Sequence, residues 1–212
     1  MDILFKLILL IPLLVSFYFL LINIGIFAIL PIWLLCGLID VSRHKTMNLK
    51  LIKEYFLGKG FLTFILSPLN LFADLLSFRN LHTFKIEDLP IGHQDEINAV
   101  ISLFDKNAKE IADRFKENIE DNRTMLFYKW YGYKLDESID EFNNDYKYIK
   151  TIGVSLFRQK TSTSRHFGPL RMTYRILYNF NKVKKEGSYI EADGRINKWK
   201  YDPLFIFDDT LI

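Results

Sequence analysis

The sequence has one cysteine, Cys36, among its 212 residues, and that residue lies inside an apolar run. A single thiol excludes an intrachain disulfide framework and a cysteine-built metal cage. It agrees with a reducing compartment. Strong charge of either sign is missing as well: 28 basic against 25 acidic residues leave +3. That balance gives no electrostatic case for nucleic acid as a partner. Internal repeats and low-complexity tracts are absent, which excludes solenoids and repetitive linkers. Histidine is scarce. His44 stands beside the apolar run, His82 and His93 precede the strand-rich region, and His166 follows a Ser/Thr-rich loop, where a histidine taken alone is more often a surface residue than a ligand.

What the chain does have is hydrophobic length. Residues 3–39 are almost unbroken apolar sequence, with Lys6, Ser16 and Asn23 as the strongly polar interruptions. A membrane-spanning helix needs about 20 such residues. No ordinary soluble helix is apolar all round for this length. A cleaved signal peptide is excluded by the length and by the lack of a small-residue cleavage site. The expectation is a membrane anchor over residues 1–40, either one transmembrane helix or a hairpin, with Pro12, Gly25 and Pro31 as possible break points.

Arg43, His44, Lys45, Lys50, Lys53 and Lys59 follow, with Glu54 the only acid among them. Positive flanks favour the cytoplasmic side of a membrane, and each attracts anionic headgroups by about 1 kcal/mol near the surface. A second apolar stretch, residues 61–78, carries Pro68, Asn70 and Asp74. An Asp at the bilayer centre costs roughly 2.5–3.5 kcal/mol, so an interfacial helix is expected there over a span. Residues 41–84 therefore read as a basic linker with an interfacial helix.

Residues 85–212 read as one domain. Ile97, Val100, Ile101, Phe104, Ala108, Ile111, Ala112 and Phe115 recur at spacings of three and four, an amphipathic helix over 95–119. Beyond residue 151 the period changes to two. Ile152, Val154 and Leu156 alternate with Gly153, Ser155 and Phe157, and similar segments cover 174–180, 189–192, 196–201 and 204–207. Gly187, Asp193-Gly194 and Asp202-Pro203 punctuate them as turns. The period predicts a small antiparallel sandwich or barrel.

Several motifs carry a resemblance. His166-Phe167-Gly168-Pro169, Arg175 nine residues on, the turn at Asp193-Gly194, and the closing Phe207-Asp208-Asp209-Thr210 resemble the aspartyl/asparaginyl β-hydroxylases. Phe127-Tyr128-Lys129-Trp130-Tyr131-Gly132, the entry Ile86-Glu87-Asp88-Leu89-Pro90 and the 61–72 segment look most like the bacterial lipid A hydroxylases within that family. The resemblance implies an α+β chain whose C-terminal domain is a double-stranded β-helix, a jelly roll of cupin type with packed helices. It implies iron(II) and 2-oxoglutarate as cofactors. The substrate would be a lipid A acyl chain or a protein Asp/Asn side chain, and the site would face the cytoplasm at the inner membrane. His166 would hold iron, with His-x-Gly replacing the usual His-x-Asp. Ser155 and Arg175 would contact 2-oxoglutarate, a guanidinium being the bidentate partner of a carboxylate. Trp130 and Tyr131 would line the substrate entrance.

Departures are present too. Leu177 stands where the family often has a further histidine, and the family's second iron-binding histidine would follow directly after Ile212. The expectation is a C-terminally truncated domain that lacks its last strands. Asp209 is then the nearest carboxylate able to join His166 on iron. The alternative is a catalytically inactive, membrane-anchored binding protein.

Overall fold

The computed structural model describes residues 18, 19, 22, 26–44, 47–76, 83–117, 123–136, 138–157, 161–163, 166–171, 173–181, 183–184, 186–208 and 210. The chain divides into two units. A helical unit gathers residues 1–80, 166–172 and 209–211, and a sheet unit gathers 81–165, 173–208 and 212.

Four helices are described in the helical unit: α1 (Ile26–Ser42), α2 (Leu49–Leu57), α3 (Phe61–Ile65) and α4 (Ser67–Leu76). Asn48 caps α2, its side-chain oxygen accepting the Leu51 N–H at 2.9 Å. This satisfies one of the donors that every helix start leaves open. Gly58 closes the helix by donating its N–H to the Glu54 carbonyl at 3.1 Å. Val41, Leu51 and Tyr55 form the core, with Phe56, Phe64 and Phe167 packed around them. Gly37 permits the close packing of α1, since a Cβ there would lie 2.6 Å from the Phe64 ring.

The expected transmembrane helix or hairpin is not found: among the described residues no helix is long and apolar enough to cross a membrane. The described part of α1 has 17 residues, about 25 Å at roughly 1.5 Å per residue, against the roughly 30 Å of the hydrocarbon core. Residues 1–17, the first part of the apolar run, lie outside the described residues. In the 61–78 stretch the described helices are α3 and α4, divided at Leu66.

Described in the sheet unit are α5 (Ile91–Glu117) and eight strands: β1 (Thr83–Phe84), β2 (Arg123–Trp130), β3 (Tyr133–Lys134), β4 (Ile152–Phe157), β5 (Tyr174–Tyr178), β6 (Tyr189–Ala192), β7 (Arg195–Lys198) and β8 (Leu204–Asp208). The amphipathic pattern of α5 operates as its spacing predicts. Val100, Ile111 and Phe115 are buried in one cluster with Tyr128, Ile139, Phe142, Tyr146, Ile152 and Val154, and Ile97 in another with Leu89 and Ile206. Alternation along β4 is also as expected, with Ile152 and Val154 buried and Gly153, Ser155 and Phe157 exposed. The Asp-Gly turn joins β6 to β7, with positive φ at Asp193 (48°) and Gly194 (72°), as a primed hairpin turn requires. Tyr131 (47°) and Gly132 (89°) turn β2 into β3 in the same way.

The strands do not build the jelly roll implied by the resemblance. They form three antiparallel sheets ordered β1-β8-β5, β3-β2-β4 and β6-β7. The fold is thus a mixture of helix with small antiparallel sheets. The cause lies in the pairing. β8, the last strand, is sandwiched between β5 and a two-residue strand that precedes α5, while β6 and β7 pair only with each other.

Two polar devices tie α5 to its surroundings. The Glu96 carboxylate accepts the backbone N–H groups of Lys147, Tyr148 and Ile149 at 2.6, 2.9 and 3.0 Å. The Arg114 guanidinium donates to both Asp136 oxygens, at 3.1 and 2.6 Å. Those bonds hold Asp136 down at about 2. A carboxyl group depressed in the folded state stabilises above its unfolded value of about 3.9, and that contribution is lost as pH falls toward 2. The expected result is a melting temperature that declines between about pH 4 and pH 2, with a shallower decline in Asp136→Asn. Parallel acid melts of the two proteins check this; superimposable profiles would reject it.

Candidate functional site

His166 belongs to the helical unit and is exposed. Ser155 and Arg175 belong to the sheet unit and are exposed there. They sit on different sheets, Ser155 opposite Met125 in the β2–β4 pair and Arg175 opposite Phe207 in the β5–β8 pair. Asp209 lies outside the described residues, while its neighbour Asp208 is buried at the end of β8. Trp130 and Tyr131 are exposed at the β2–β3 turn, with their rings edge to face at 5.1 Å.

Among the described residues no three His, Cys, Asp or Glu side chains lie together as a metal site. His93-Gln94-Asp95 has a His-x-Asp spacing, but it lies within the helix α5, where residues two apart do not face each other. The His93 ring stacks instead on Tyr148 at 3.8 Å. The described residues therefore bring no such group together around His166.

The chemistry that the structure does assemble is elsewhere, in the interior of the helical unit. Arg171 is 1 % exposed in its side chain, and its guanidinium bonds Asp40 of α1 and the Thr210 hydroxyl. Its Nε lies 3.3 Å from Asp74 of α4, which also pairs with Arg43. The Tyr55 hydroxyl donates to Asp40 at 2.6 Å. Burial first, and then the Asp40 charge, push the Tyr55 phenol far up, so it remains a donor at any physiological pH. Two guanidinium groups thus face two carboxylates, which is what low-dielectric surroundings require of buried charge. Around them Asn70, Thr63 and Ser67 are fully buried.

Sequence reasoning missed this cluster. Its signal was the two acids, Asp40 and Asp74, set in apolar helices; a buried acid in such surroundings calls for a cation partner. The partner could not be read from the pattern, because Arg171 is 131 residues from Asp40.

No protein-family model matches the chain, and neither does any curated protein or solved structure.

Proposed function

We propose that the chain works at a lipid surface as a membrane-associated binding protein. One observation carries the reading: α1, α3 and α4 of the helical unit present broad apolar faces while Asp40, Thr63, Ser67 and Asn70 are buried. In α4 the buried residues are Ser67, Asn70 and Ala73, while Leu69, Phe72, Leu75 and Leu76 are exposed, Leu75 by 76 %. In α3 Thr63 is buried and Phe61, Leu62 and Ile65 are exposed. In α1 Asp40 is buried and Leu30, Ile32, Leu34, Leu35, Leu38 and Ile39 are exposed. Isolated exposed leucines mean little, but large apolar faces over polar interiors invert the order that water imposes. Hydrocarbon is the solvent that suits this arrangement. Lys50, Lys53 and Lys59 are exposed in and just beyond α2, which favours the anionic cytoplasmic leaflet. Flotation with phosphatidylcholine/phosphatidylglycerol vesicles tests the reading. Protein left at the bottom of the gradient without detergent sinks it.

A second reading is hydroxylation of a lipid acyl chain, or of an Asp/Asn side chain, with iron(II) and 2-oxoglutarate. It is supported by the sequence resemblance and by the location of the His166 segment in the unit with the apolar faces. Its ligand set would have to draw on groups outside the described residues. Titration with iron(II) in the presence of 2-oxoglutarate, followed by succinate release, is the deciding measurement. Absence of metal binding at micromolar iron removes this reading and leaves the first intact.

A further inference from the structure

We propose that Arg171 is a positioning residue: its buried guanidinium pins the segment 166–171 to the helical unit, and thereby fixes where the His166 imidazole stands. The lipid-surface reading supplies only the setting for this inference.

The chain on either side of the segment belongs to the sheet unit. The segment itself has no helix or strand to hold it. Its attachments are side-chain ones. Thr63 donates its hydroxyl to the Gly168 carbonyl at 2.9 Å. Asn70 accepts the Arg171 N–H at 2.9 Å and donates its amide to the Pro169 carbonyl at 3.4 Å. Phe167 sets its ring edge-on to Tyr55, centroids 5.6 Å apart. Gly60 keeps space for that ring, since a Cβ there would lie 3.0 Å from Phe167.

Among these contacts the guanidinium decides. Amide and hydroxyl bonds exchange readily for water, and each nets about 1 kcal/mol. A buried cation is different, because it cannot remain in a low-dielectric interior without its anions, nor can the anions remain without it. Arg171 reaches Asp40 on α1, Asp74 on α4 and Thr210 from three nitrogens. Lysine carries its three donors on one nitrogen at the end of a flexible stem and lacks the rigid planar fork that spreads Arg171's contacts over three nitrogens. The packing of α1 with α4 and the seat of the 166–171 segment are therefore one state.

A nitroxide attached at His166→Cys, in a Cys36→Ser background, reads the segment directly. Spectra are recorded on vesicles and in detergent. With Arg171 present the label is expected to be restrained. Arg171→Met should give several-fold faster label motion, and Arg171→Lys an intermediate spectrum, while vesicle flotation of both stays unchanged. A restrained label in a folded Arg171→Met protein overturns the proposal. Should that variant fail to fold, Arg171→Lys, which keeps a cation in the interior but loses the planar fork, is read in its place. Label motion above that of the parent supports the pin, and a spectrum identical to the parent's overturns it. Wild-type protein that does not float, yet restrains the label in detergent, refutes the lipid reading alone.

Discussion

Replacing Leu69, Phe72, Leu75 and Leu76 together by serine is expected to release the protein from lipid vesicles into the aqueous phase. These side chains form the exposed face of α4, from 39 % exposed at Leu69 to 76 % at Leu75. Fully burying one such side chain stabilises by about 1.5–3 kcal/mol. With roughly half of each available to a partner, four contribute about 4 kcal/mol, or about a thousandfold in partitioning at 1.4 kcal/mol per decade. The buried side of the helix, Ser67, Asn70 and Ala73, is untouched, so the fold should persist. Sedimentation with vesicles measures the loss, and near-ultraviolet dichroism reports on the fold. A folded variant that still partitions like the parent would place the lipid contact elsewhere.

Phe142→Ala is expected to cost the sheet unit about 3–5 kcal/mol, the usual range for emptying a buried aromatic site. The ring is fully buried, with the rings of Phe104 and Tyr128 both 4.7 Å away between centroids. A domain of this size loses roughly 4 °C in Tm per kcal/mol, so the fall should exceed about 10 °C. Calorimetry checks it. A change under about 1 kcal/mol would mean that the site collapses around the deletion, and that this cluster is not the centre of the core. Vesicle binding measured below the new Tm should be unaffected, since none of the exposed faces of α1, α3 or α4 is altered.

The two expectations draw on opposite kinds of packing. In the sheet unit apolar groups are inside, and the period of the sequence says where: α5 and β4 bury the residues that their spacing selects. In α1, α3 and α4 of the helical unit the hydropathy pattern is legible too, but there broad apolar faces are exposed while polar groups such as Asp40, Thr63 and Asn70 are buried. Asp74 reads along the chain as a flaw in an apolar stretch, and in the fold it faces Arg43 and Arg171. Arg175 and Ser155, which the resemblance implies for a cosubstrate site, stand exposed on separate sheets. Spacing along a chain constrains a site only when the pairing of strands is known, and register is set by tertiary contacts.

The sequence by itself determined the amphipathic helix over α5, the alternation of β4, the Asp193-Gly194 turn, and the concentration of apolar residues before residue 80, because each is a local property of period or backbone preference. Only the tertiary structure decided that the described strands divide into three sheets, and that Arg171 enters the helical interior. Those outcomes depend on which distant groups meet. Arg171 and Asp40 are 131 positions apart, and no local pattern carries the free energy of neutralising a buried charge.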